Sequence, residues 1–314
     1  MIKRKEFNID FFKNRKIFFS ISLTIIILGF IFNIFLGTQL DIQFTGGTIV
    51  KYSYTGDIDQ SDLVSTIQDA TEQQVAVSIS KNILSDNNGE VSNNVSVEFA
   101  GNTAISVEQQ KILDEAINNN FPENNFQKIE SNSVDPVNGK NFFLKCMVAV
   151  ALAALLMIVY IAFRFKKIGG WFAGCMAVVA LIHDVIIIYL TFIVFRMPLD
   201  SNFIAVVLMI LGYSLNDTII IYDRVRENRR LLGPKAQVTD LINLSINQTL
   251  NRTINTSITT ALAIGTVLVV ALVFNLSSVV SFSLPMLIGI ISGCYSTICI
   301  AGPLWAMWQE NKSN

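Results

Sequence analysis

The chain is short of almost everything a soluble enzyme uses. Of its 314 residues one is histidine, four are cysteine, six are proline and only 15% are charged. A single histidine, with no His, Cys and carboxylate set at ligand spacing, argues against a metal site. Cys146, Cys175, Cys294 and Cys299 all lie in apolar runs without CxxC spacing, so no disulfide framework is expected. No GxxxxGK(S/T) loop or GxSxG elbow is present, which leaves no motif for nucleotide binding or serine hydrolysis. No catalytic residue and no cofactor is assigned. Arginine is absent from residues 38–140, where five lysines face fifteen acids; the net charge of −1 therefore hides a remainder that is basic by nine. Those basic residues sit in short clusters beside apolar runs, a pattern of topological anchors that excludes nucleic acid as a partner.

What is abundant is hydrophobic side chain, 52% of the total, which points to a polytopic membrane protein embedded in the lipid bilayer. Apolar runs near 17–36, 142–163, 170–194, 200–222, 252–274 and 279–303 are each long enough to cross about 30 Å of hydrocarbon. The first follows Lys3, Arg4, Lys5, Lys13, Arg15 and Lys16 and lacks a small-x-small cleavage site, so it reads as an anchor. Arg164, Lys166 and Lys167 follow the second run, and Arg224, Arg226, Arg229, Arg230 and Lys235 the fourth. The positive-inside rule places these clusters and both termini in the cytoplasm and residues 38–140 outside. Trp171, Trp305 and Trp308 are expected in an aromatic belt at the cytoplasmic boundary. Gly289 and Gly293 give the sixth span a small-xxx-small face for close helix contact.

The outer segment reads as alternating strands and amphipathic helices. Leu40–Tyr54 suggests a strand through Ile42, Phe44, Ile49, Tyr52 and Tyr54, interrupted at Gly46-Gly47. A helix over 61–70, capped by Ser61, precedes strands at 75–80 and 95–100, which flank a turn at 86–89. A second helix over 107–121 has Ser106 as its cap and Pro122 as its stop, and a last strand follows over 126–134. The order β-α-β-β-α-β is that of a ferredoxin-like α+β domain. The expected organisation is therefore a basic N-terminus and first span over 1–37 and an outer domain over 38–140. Five spans follow over 141–304, with a basic cytoplasmic loop at 223–249, and a tail over 305–314.

Polar groups inside the apolar runs are where function is expected. The stretch Gly212–Arg230 carries Asn216 and Asp217 through an apolar run before the cluster Asp223, Arg224, Arg226, Glu227 and Asn228. With Asp223 at the interface, Asp217 lies roughly 9 Å deeper. An acid at mid-membrane costs about 2.5–3.5 kcal/mol and normally faces a partner or a wet cavity. In the fifth span Arg252, Asn255, Thr256 and Thr259 share one helical face. Arg252 is either the counter-charge for Asp217 or a side chain that snorkels to the interface. His183 and Asp184 in the third span come within roughly 6 Å of the depth of Asp217. His183 is either a relay or a packing residue, and Asp184 either pairs with it or lines the same cavity.

Four of these stretches together resemble the SecF family, the smaller member of the bacterial SecD–SecF protein-export pair of the RND superfamily. Ile42–Thr48, with Phe44, Gly46 and Gly47, is similar to the family's segment after the first span, and His183-Asp184 to its third-span pair. Gly212–Arg229 is similar to its fourth-span signature and Thr249–Thr260 to the start of its fifth. The resemblance implies a polytopic α-helical fold that is half of an RND-type core, completed by a separate SecD-like chain. It further implies a proton-driven accessory role in late preprotein translocation across the bacterial inner membrane, with Asp217 the proton carrier and Arg252 its basic partner. The SecYEG translocon and the emerging preprotein are implied partners, with YajC- and YidC-like membrane proteins beside them. Two other readings of the residues are a small-molecule efflux component of the same superfamily and a non-transporting assembly scaffold.

Overall fold

A computed structural model describes residues 9–73, 75–80, 92–99, 105–134, 136–233, 236–274 and 276–313. Among the described residues six helices are long and apolar enough to cross a membrane, the pattern of a multi-pass membrane protein. In order along the chain, α1 is Arg15–Leu36, α2 Ile42–Thr45, α3 Gln60–Thr71 and α4 Val107–Asn120. The helices α5 (Pro136–Arg164), α6 (Gly170–Val194), α7 (Ser201–Leu232) and α8 (Val238–Val273) follow. The last, α9 (Ser277–Ser296), passes through a π-turn at Thr297–Ala301 into α10 (Gly302–Ser313). The π-turn has a local cause: Pro303 has no N–H to donate to the carbonyl of Cys299, so the helix rewinds just before it.

Between α1 and α5 lies a four-stranded antiparallel sheet of β1 (Gly47–Thr55), β2 (Val75–Ser80), β3 (Ser92–Phe99) and β4 (Gln127–Val134). Its spatial order, β2-β3-β1-β4, is the ferredoxin-like arrangement expected from the alternating pattern. Val50, Tyr52 and Tyr54 of β1 and Val95, Val97 and Phe99 of β3 point to one face. There they meet Leu63 and Ile67 of α3 and Leu113 and Ile117 of α4, all fully buried. Burying each such side chain contributes about 1.5–3 kcal/mol. Ser106 closes a capping box with Gln109, as its position predicts. Asp59 caps α3 in place of Ser61, because its carboxylate reaches the Ser61 amide at 2.9 Å. The turn expected at 86–89 lies outside the described residues.

Three expectations are corrected. Ile42–Thr45 is one turn of helix, not strand; Asp41 caps it, and Phe44 leaves the sheet to pack on Phe142 and Phe143 of α5, at the edge of the buried cluster that α6 and α7 supply. The stretch 223–249 is not a loop. Helix α7 runs 32 residues and α8 36, about 48 and 54 Å at 1.5 Å per residue, so both pass well beyond a 30 Å core and meet at a short turn near Gly233. Trp305 does not belong to an interfacial belt: it is fully buried and its Nε1 donates to the Ile168 carbonyl at 3.2 Å. Residues 305–313 consequently continue the last helix and pack on the core rather than trailing as a tail. Trp171 is exposed, and Trp308 stacks on Phe172 with centroids 3.6 Å apart.

In lipid, helices gain little from burying apolar surface against one another, so small residues and polar contacts decide their packing. A Cβ at Gly289 would lie 2.8 Å from Ile210 and one at Gly293 3.1 Å from Ser214, so the glycine face of α9 sits directly on α7, as the spacing predicts. On the cytoplasmic side, Asn243 and Asn247 of α8 hold the segment ahead of α1. Asn247 exchanges two hydrogen bonds with the backbone of Ile9, at 3.0 and 2.8 Å, and Asn243 accepts from the Phe12 amide at 3.0 Å.

Candidate functional site

Asp217 lies on α7 about 25 Å along the helix from its outer end, deep within a bilayer-sized span. Asp217 is 1% exposed, and Oδ2 has no hydrogen-bond partner among the described residues. Arg252 of α8 and this carboxylate form no ion pair among the described residues. The same α7–α8 region holds a second buried polar atom without a partner, Oγ1 of Thr253. The two helices also meet where Ser257 of α8 accepts from the Tyr213 hydroxyl of α7 at 3.3 Å. Buried orphan polar atoms are costly and rare, so a pair of them here marks a site that is incomplete or that exchanges something.

The polar face of α8 turns outward from this chain. Arg252, Asn255 and Thr259 are exposed, and so is Asn216 on α7. Thr256, half-buried, returns its hydroxyl to the Arg252 carbonyl at 2.9 Å, and Thr259 bonds the Asn255 carbonyl at 3.0 Å. Side chains of this kind at membrane depth need a protein neighbour or water in place of lipid.

His183 and Asp184 are not joined to Asp217 by any hydrogen bond among the described residues. They form their own centre, which pattern reading recognised only as a pair. His183 Nδ1 lies 3.2 Å from Asp184 Oδ1, and the imidazole faces Tyr295. Asp184, fully buried, accepts hydrogen bonds from Ser292 at 2.7 Å, Ser296 at 2.7 Å and Ser214 at 2.9 Å. The three serines were missed because an isolated hydroxyl in an apolar helix is unremarkable. The only signal available was the i, i+4 spacing of Ser292 and Ser296.

The motif residues after Asp217 are a clamp. Asp223 Oδ1 meets Arg226 at 2.8 Å and Arg164 of α5 at 3.3 Å, while Arg224 pairs with Glu227 at 2.6 Å. Gln248 of α8 accepts from Arg224 at 2.6 Å and from the buried Asn228 at 2.8 Å, and Asn228 also donates to Ser245 at 2.9 Å. These contacts tie the cytoplasmic extensions of α7 and α8 together.

At the outer end, Leu199, just before α7, exchanges backbone bonds with the chain leaving α1: Asp41 N to Leu199 O at 3.0 Å and Leu199 N to Gln39 O at 2.8 Å. Phe44 stacks on Phe142 and meets Phe143 edge-on, with centroids 5.7 and 5.4 Å away. Gly46 and Gly47 take φ of 81° and 135°, conformations that favour glycine, and a Cβ at Gly47 would lie 2.5 Å from the Phe99 carbonyl. The segment between α1 and β1 is thereby attached to the chain just ahead of the helix that carries Asp217.

Comparison with known proteins decides the family. The model of the family described as protein export membrane protein SecD/SecF, C-terminal, matches residues 113–311. The chain belongs to the SecD/SecF family. The protein translocase subunit SecF of Sebaldella termitidis is 32% identical over 301 residues, covering 96% of this chain and 92% of that one. SecF of Thermobaculum terrenum is 33% identical over 310 residues, with 97% and 95% covered. The crystal structure of SecDF from Thermus thermophilus, a translocon-associated membrane protein, superposes with a TM-score of 0.78 at 26% identity. The match covers 97% of this chain but 39% of that one, and the SecDF subunit of Bacillus subtilis likewise extends well beyond it, with 38% covered.

Proposed function

We propose that this chain is the SecF-type subunit of a bacterial protein translocase, and that it pairs with a separate SecD-like chain in the inner membrane. The pair promotes late movement of preproteins that have entered a SecYEG channel, at the expense of the proton-motive force. Asp217 carries the proton and Arg252 answers its charge. The observation that carries this reading is the buried Oδ2 of Asp217, unpartnered among the described residues, together with an α8 face on which Arg252, Asn255 and Thr259 are exposed. The relatives named SecDF, more than twice as long as the stretch they share with this chain, support a second half as the cover.

Mechanically, the protonation state of a buried acid depends on its surroundings, here on how closely α7 and α8 approach and on whether water enters. By reciprocity, a change in protonation biases that approach. Helix α7 runs unbroken from Asp217 to Ser201, and Leu199, two residues ahead of it, is bonded to the chain leaving α1, so a shift of α7 is passed toward the outer domain. The drive available is about 2.3 kcal/mol per charge for each 100 mV, comparable with an ordinary allosteric coupling. The distribution of basic residues supports an outer domain in the periplasm and both termini in the cytoplasm. YajC- and YidC-like proteins fit as further neighbours.

Affinity purification of the full chain from mildly solubilised native membranes tests the assignment. Recovery of SecD-like and SecYEG subunits is expected. Recovery of a periplasmic adaptor in their place would contradict it.

A further inference from the structure

The centre built on Asp184 has the opposite character to Asp217. Its carboxylate collects three hydroxyl donors from two helices, Ser214 of α7 and Ser292 and Ser296 of α9, while its own backbone belongs to α6. One group thus pins three helices at mid-membrane. The cluster extends along α7: Thr218 and Thr297 lie 3.2 Å apart, and each donates to the Ser214 carbonyl, at 3.2 and 3.3 Å. Gly293 permits this closeness, since a Cβ there would lie 3.1 Å from Ser214 and 3.7 Å from the Asp184 carboxylate. Ser214 and Thr218 are both buried, and they stand three residues before and one residue after Asp217.

We propose that Asp184 is a positioning residue: through Ser214 it fixes the rotation and depth of α7, and with them the direction in which the Asp217 carboxylate faces α8. The donor count explains why an acid stands here. Oδ1 receives Ser292 and Oδ2 receives Ser214 and Ser296, so both oxygens act as acceptors, whereas an amide would put an N–H group in the place of one of them. The proposal rests on Asp217 being the proton carrier, and it divides the labour between the two buried acids. Asp184 is saturated with donors and stationary; Asp217 is left unsaturated and exchanges.

The test is the pH profile of carbodiimide modification of Asp217, a reaction of protonated carboxyls, in membrane vesicles holding the full chain with its partner, read by mass spectrometry of the α7 peptide. Wild type is expected to give a sigmoidal profile that Asp217→Asn abolishes. Ser214→Ala, which cuts the link from Asp184 to α7, is expected to displace the midpoint by about one pH unit or more, and Ser214→Thr to restore it. Ser292→Ala removes a donor on α9 without touching α7 and should leave the midpoint in place. Asp184→Asn should act as Ser214→Ala does; where it fails to insert, the serine variants carry the test alone. A wild-type midpoint in Ser214→Ala, or equal shifts in Ser214→Ala and Ser292→Ala, would overturn the positioning role. A flat wild-type profile would instead overturn the proton-carrying role of Asp217, and that of Asp184 with it.

Discussion

Asp114 shows at single-residue scale how the outer domain is held. Its Oδ1 accepts from the Tyr52 hydroxyl at 2.6 Å and its Oδ2 meets Lys128 at 2.6 Å. Burial, with the bond to Asp114 behind it, pushes the Tyr52 phenol well above its ordinary range. Asp114→Ala strands that hydroxyl in the core and is expected to cost roughly 1–3 kcal/mol, measured by chemical unfolding of the full chain in detergent. Glu98 offers a pH-dependent counterpart. Burial and, after it, the Asp41 charge raise its carboxyl above the usual glutamate range. The folded chain therefore holds more protons than the unfolded one from about pH 4.3 up to the raised value, and stability falls as pH rises through that window. Glu98→Gln should melt higher than wild type at neutral pH and lose its advantage below about pH 4, as thermal unfolding at the two pH values would show. The intramembrane acids differ in how visible they were. Asp217 is legible because an acid in an apolar run is conspicuous, whereas the cage around Asp184 consists of serines that acquire meaning only when α7 and α9 are brought together.

Among the elements, the α+β domain was largely readable, because its period-2 strands and the capping box at Ser106 are local signals that tertiary packing does not override. Ile42–Thr45 was not readable. Ile42 and Phe44 alternate like strand residues, but Phe142 and Phe143 of α5, with the buried cluster beside them, claim Phe44, and the chain turns as a helix to deliver it. The same contact makes the hinge testable. Phe44→Ala is expected to cost about 3–5 kcal/mol of local packing. Amide exchange in α2 and at the Leu199 bridge should accelerate, while the sheet stays protected. Equal protection throughout would mean that Phe44 does not couple the domain to the membrane helices. The α7–α8 hairpin escaped pattern reading for a related reason: charged residues after Asp223 look like a loop until Gln248 and Ser245 are seen to receive Arg224 and Asn228 across it.

For the whole molecule, topology is the first matter that can be measured. In a background without the four native cysteines, a cysteine at the exposed Glu123 should react with an impermeant thiol reagent in intact spheroplasts, and one at the exposed Leu231 should not. Reaction at Leu231 would reverse the orientation. Among the described residues Asp217 Oδ2 has no donor and Arg252 is exposed, features that make sense in an assembly with a second half. The most direct measurement is preprotein translocation into inverted membrane vesicles that carry the SecD-like partner and either wild-type chain or Asp217→Asn, with and without a proton gradient. The substitution keeps the size of the side chain and removes its titration. Normal assembly is predicted, with translocation in the gradient reduced to the rate seen without one. Undiminished stimulation by the gradient in Asp217→Asn vesicles would contradict the account.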